Sequence, residues 1–239
     1  MNDLKRPDLG DLVARLTADD VDRRERGRLL GLLARGLAGG ARAASFSGKK
    51  LADLVVEDIA PHLPVRDLLT LREHHNGLSG DDLAAALIRN ASVVTAGIGG
   101  AAGALAAVEV AAPPALLAAP VQLAAETLAV VAVELKLVAE LHVVYGKAPV
   151  GNRRQLAVAY LASWAGKRGL DPGEGGPSLS DVLSTAARQQ VRQRVVRRLR
   201  RNITSLAPFL AGAVAGAELN RRETRGLGEA LQRDLRRRR

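Results

Sequence analysis

A chain of 239 residues, 47% hydrophobic and 25% charged, has enough apolar material for a folded core and is not a disordered composition. The absence of cysteine excludes disulfides, thiolate zinc sites and cysteine nucleophiles, and suits a reducing compartment. Net charge is +10, but 29 of the 35 cations are arginine, an excess that a GC-rich genome also produces, so polyanion binding must be read from where the charge sits.

Aromatic residues make up only 2% of the chain (Phe46, Phe209, Tyr145, Tyr160 and Trp164), so the core must be Leu, Val and Ala, which favours close-packed helices over sheets. The opening "MNDLKRPDLGDL" has no apolar run of signal-peptide length, and a cytoplasmic protein is expected. Thr17 before Ala-Asp-Asp reads as the N-cap of a helix over Asp19–Leu37 that stops at Gly39-Gly40. Leu51–Ile59 and Val65–His75 read as short helices separated by Pro61 and Pro64, with Asn76-Gly77 as a turn. Ser79 with Asp82 opens a long helix to about Val110. A second begins near Pro120 and runs to Tyr145, before Gly146 and Pro149. Gln155–Gly166, Ser180–Asn202 and Pro208–Leu235 complete the helices, with a connector at about 168–179. No segment alternates with period two, so the expected fold is all-α, a helical bundle built around a long glycine/alanine-rich hairpin. Two regions are expected: an N-terminal helical region, 1–78, and a helical domain, 79–239.

The stretch "TAGIGGAAGALAAVEVAAPP", Thr95–Pro114, admits three readings. Gly97-Ile-Gly99-Gly-Ala-Ala102 formally fits a dinucleotide fingerprint, but no strand precedes it, and no cofactor is expected. Ala91–Val108 is an uncharged run barely long enough to cross a bilayer; its small residues insert weakly, while Glu109 would cost about +3 kcal/mol at mid-membrane. The favoured reading is a packing surface. Gly99 and Gly103 are one helical turn apart, as are Gly212 and Gly216, and such pairs let a second backbone come close.

In the following helix Gln122, Glu126, Lys136 and Glu140 share one side, with Glu134 at its margin, and are expected to form a solvated stripe. The bend "AAPPALLAAP" carries no charge and no hydrogen-bonding side chain, unlike an ordinary surface loop. Burial beneath other helices or a second subunit would explain it. So would a tip, Pro113, Pro114, Leu116 and Leu117, that dips into lipid. Between Asp181 and Glu218 there is no acid, and Arg194, Arg197, Arg198, Arg200 and Arg201 form one face opposite Val191, Val195, Leu199 and Ile203. A basic amphipathic helix of this kind suits anionic lipid or nucleic acid, although few aromatics are present to stack a base. His142 and the His74-His75 pair lack metal-ligand spacing, so no metal site is expected, and no nucleophile or catalytic motif accompanies the acids.

Thr95–Val108, the helix end "LVAELHVVYG" and the block "LAPFLAGAVAGAELNRRETRGLGEAL" together resemble the EcsC family, the last through Pro208, Gly212, Gly216 and Asn220 at similar spacing. The resemblance runs from Ser79 to Leu235. It implies a helical, membrane-associated cytoplasmic protein with no agreed catalytic residues. Where family members carry Asp-Leu-Pro after the glycine helix this chain has "VAAPPALLAAP", leaving that aspartate without a counterpart. The expectation is a non-enzymatic protein peripheral to the inner face of the membrane. Its expected partners are anionic lipid or a membrane protein, with homo-oligomerisation open. Nucleic-acid binding and a soluble adaptor role are the alternatives.

Overall fold

The computed structural model describes residues 8–18, 20–40, 54–109, 119–166 and 209–237. Among these residues the fold is all-α, with no strand. The order is α1 (Leu9–Leu16), α2 (Arg23–Gly40), a π-helical turn (Val55–Ile59) leading into a 3-10 turn (Ala60–His62), α3 (Leu68–His74), α4 (Gly80–Glu109), α5 (Ala119–Val144), α6 (Arg153–Gly166) and α7 (Phe209–Arg237).

The N-terminal region departs most from expectation. Asp8 caps a short helix, α1, by accepting from the Gly10 N–H at 2.8 Å. Thr17 closes that helix instead of opening the next, its hydroxyl donating to the Ala14 carbonyl at 2.9 Å. The cap of α2 is Asp22, which accepts from the Glu25 N–H at 2.8 Å. The helix expected over Leu51–Ile59 is helical throughout its described part, Leu54 in α conformation and Val55–Ile59 as a π-helical turn, and it continues into a 3-10 turn holding Pro61. Proline has no N–H for the helical ladder, and Pro64 favours the extended backbone seen at Leu63. Asp67 caps α3 through the Thr70 N–H at 2.9 Å. Asn76 and Gly77, both at positive φ, then turn the chain towards α4.

The long helices set the architecture. Ile88 meets Gly228, Thr95 meets Asn220, Gly99 meets Gly216, and Asp81 pairs with Arg236, so α4 and α7 run antiparallel in one register over most of their length. Tyr145 reaches Asp81, and Glu126 reaches the Asn220 that holds Thr95, so α5 is antiparallel to α4 as well. α5 is the central element: it packs on α2, α4, α6 and α7, and every side chain from Val121 to Leu141 is buried. One core joins Val13, Leu33, Ile59 and Leu71 of the N-terminal region to Leu87, Leu128, Val138, Trp164 and Leu231.

Candidate functional site

Two features of the bundle carry chemistry worth building up: the polar groups on α5 and the glycine contact between α4 and α7. The expected solvated stripe on α5 is overturned. Glu126, Glu134, Lys136 and Glu140 are all buried, with Glu134 at 0% exposure. A helix that is apolar around most of its circumference is surrounded by protein, and its few polar residues go inside with it. They persist there because each finds partners.

Three nodes follow the axis of α5. Nearest the bend, the Asn220 amide donates to the Thr95 carbonyl at 3.1 Å and to Glu126 Oε1 at 3.4 Å, while the Thr95 hydroxyl lies 3.4 Å from the Asn220 carbonyl. One asparagine thereby joins α4, α5 and α7. In the middle, Glu134 accepts from the Trp164 indole N–H at 3.0 Å and the Thr224 hydroxyl at 3.1 Å, tying α5 to α6 and α7. Towards the base, Arg66 grips Glu140 with two nitrogens, at 2.8 and 2.9 Å. Lys136 lies 3.8 Å from the same carboxylate and donates to the Thr17 carbonyl at 3.1 Å. This last node fastens the N-terminal region to the hairpin, and a forked guanidinium is suited to hold a carboxylate that has left water.

At the glycine contact, a Cβ on Gly99 would stand 3.0 Å from the Gly216 carbonyl oxygen and 2.5 Å from Asn220 Nδ2. The glycine-bearing face of α4 therefore serves α7 rather than the next helix in sequence. Gly97, two residues earlier, faces open space. Gly103 and Gly212 fall within α4 and α7, and their surroundings lie outside what is described. Pro113, Pro114, Leu116 and Leu117 lie outside the described residues, as do Arg194, Arg197, Arg198, Arg200 and Arg201.

His142 donates through Nδ1 to the Val138 carbonyl at 2.7 Å and stacks at an angle on Tyr160, with ring centroids 5.7 Å apart. His75 Nδ1 bonds the Leu71 carbonyl at 2.8 Å, and the ring's other nitrogen faces Asn90. Among the described residues no three His, Asp or Glu side chains gather as a metal site. At the base a cleft of about 440 Å³ is lined by Gly80, Asp81, Tyr145, Lys147 and Arg236. Its polar groups are engaged with one another. Tyr145 donates to Asp81 at 2.6 Å and accepts from Gln232 at 3.1 Å, Lys147 reaches the Leu235 carbonyl at 2.5 Å, and Arg236 pairs with Asp81 at 3.0 Å. Burial, then the Asp81 carboxylate, pushes the Tyr145 phenol up.

Sequence reasoning located the acids of α5 but not their partners. Asn220, Trp164 and Arg66 are 94, 30 and 74 residues away from the glutamates they meet. The available signal was Trp164 itself, since a buried indole N–H usually finds an acceptor. Compared with family models, curated proteins and solved structures, the chain has no match. None of the comparisons indicates catalysis.

Proposed function

We propose that this is a non-enzymatic helical protein that associates with the cytoplasmic surface of a membrane, or with an assembly there, through the apolar bend between α4 and α5 and the basic segment Arg194–Arg201. The observation that carries this reading is the distribution of charge along the bundle. One end gathers the close of α4 (98–109), the start of α5 (119–125) and the start of α7 (209–217); these residues include Glu109 and no cation, and the intervening bend 110–118 adds no charge. The other end holds Arg66, Arg72, Asp81, Asp82, Lys147 and Arg236. Helix ends that carry no cation among these residues and are rich in Leu, Val and Ala suit contact with hydrocarbon, while arginines with no acid near them in sequence suit lipid phosphates.

A peripheral mode is favoured over a conventional span. Gly80–Gly100 is long and apolar enough to cross a bilayer, but half of its most apolar window is buried within the bundle. The resemblance to the EcsC family supports the same reading. Nucleic-acid binding through the same arginines is the second reading, and few aromatics accompany them to stack a base.

Co-sedimentation of the full chain with vesicles of neutral and of anionic lipid tests the proposal. Binding is expected to anionic vesicles, weakened by salt, and lost on Leu116→Asp/Leu117→Asp. Binding that ignores this substitution would remove the bend from the account. Affinity for DNA that falls steeply with salt, with none for vesicles, would favour the nucleic-acid reading.

A further inference from the structure

The cleft at the base lies where three long helices meet: α4 opens there at Gly80, α5 closes at Val144, and α7 delivers Leu235 and Arg236. Its volume of about 440 Å³ is that of a small-molecule site. Gly80, at φ +52°, brings backbone and no side chain to its rim. Two cations, Lys147 and Arg236, line it against one acid, Asp81. Lys147 donates to the Leu235 carbonyl and Arg236 pairs with Asp81 through one nitrogen at 3.0 Å, and neither cation has a further partner among the described residues. An ammonium has three N–H donors and a guanidinium five, so one contact each leaves most of them unused. The acid, by contrast, is well occupied, since it accepts the Tyr145 hydroxyl at 2.6 Å as well as Arg236. Asp82 and Asp234, next in sequence to lining residues, do not line the cleft. Lys147 is half-buried and its backbone N–H is fixed on the His142 carbonyl at 2.8 Å, so its side chain starts from a set position. Val144 and Leu235 supply an apolar wall.

We infer that this cleft binds a small soluble phosphomonoester, its phosphate between Lys147 and Arg236 and its organic part against Val144 and Leu235. Two cations with spare donors match a doubly charged anion. A phosphomonoester carries close to two charges at neutral pH, and its three acceptor oxygens can take a point-like ammonium and a planar fork together. A carboxylate, with one charge, would compensate only one of them. Asp81 competes with the phosphate for Arg236, so it limits the affinity instead of supplying it. The inference goes beyond the membrane reading and does not depend on it. The 30 residues of α4 place its far end roughly 45 Å from the cleft. That distance favours a phosphate from solution over a headgroup of a bilayer held at the bend.

Equilibrium dialysis of the full chain against labelled glycerol 3-phosphate, inorganic phosphate and acetate tests this. One glycerol 3-phosphate per chain should be retained, with acetate bound about tenfold more weakly or less. Lys147→Gln and Arg236→Gln should each lower the affinity for glycerol 3-phosphate by about tenfold, with thermal melts showing that both variants fold. Asp81→Asn should raise it several-fold, because the competing charge is gone; a merely structural Asp81–Arg236 pair would give no gain. No retention at millimolar ligand overturns the inference. So does retention that Lys147→Gln and Arg236→Gln leave unchanged, which would assign the anion to other arginines of the chain. Vesicles carrying phosphatidic acid form the second arm. Vesicle binding abolished by Lys147→Gln/Arg236→Gln, with no binding of the soluble phosphates, would assign the cleft to lipid and overturn the soluble ligand. Leu116→Asp/Leu117→Asp, which tests the bend, should leave glycerol 3-phosphate binding in place, so the two readings fail separately.

Discussion

α4 meets α7 and α5 meets its neighbours by opposite means. Between α4 and α7 at Gly99 and Gly216 the contact depends on missing side chains. Around α5 the contacts depend on side chains that seldom go inside: three glutamates and a lysine, engaged by Asn220, Trp164, Thr224, Arg66 and a backbone carbonyl. Both helices read as Ala-rich and apolar, yet one uses close approach and the other directional bonding. Small residues give proximity with little angular preference, whereas a buried Arg66–Glu140 fork or a Trp164–Glu134 hydrogen bond fixes which face meets which.

The largest test of this contrast is at Glu140. Glu140→Ala should destabilise the fold by about 3–5 kcal/mol, because Arg66 and Lys136 remain buried beside the space it leaves. Chemical denaturation measures this. Arg66→Met together with Glu140→Leu should recover most of the loss, since packed apolar groups replace a buried pair at little cost. A single mutant as stable as the parent would mean that the node contributes only at the surface.

Next comes a pair of glycines two residues apart. Gly99→Ala should cost about 1–3 kcal/mol, because the new methyl meets the Gly216 backbone and the Asn220 amide. Gly97→Ala should stabilise by up to about 1 kcal/mol, because its Cβ enters open space and alanine is the better helix former. Thermal melts of the two variants should move in opposite directions. Equal shifts would mean that α4 and α7 do not touch at Gly99.

The smallest effect lies at alkaline pH. The folded state raises the phenols of both tyrosines of the chain, Tyr145 by burial and Asp81, and Tyr160 by burial. A group held neutral by the fold contributes stability that is present below its unfolded value and lost as pH rises through the folded one. Stability should therefore fall above pH 10, and phenolate absorbance should rise at higher pH in the native than in the denatured protein. Coincident titrations would contradict the burial of the two rings.

Much of the fold was legible because helix signals are local. Ser79-Gly-Asp-Asp82, Pro120, Gly146 and the period of apolar residues marked the long helices to within a few residues of their ends. The N-terminal caps were less legible: Thr17, read as the cap of α2, closes α1 instead, and the Asp22 carboxylate caps α2. The surroundings of α5 were not legible. A stripe of Gln122, Glu126, Lys136 and Glu140 looks the same whether water or Asn220 and Arg66 faces it, and those partners come from distant parts of the chain. The charge asymmetry of the bundle emerged only when antiparallel pairing brought the start of α7 beside the end of α4.

Fractionating cells that express the full chain tests the central claim most directly. Washing the membranes with high salt and then with carbonate should release the protein without detergent, as expected for a bundle resting on lipid through an apolar end and arginines. A chain found wholly in the soluble fraction, or one that resists carbonate as a crossing helix would, contradicts the account.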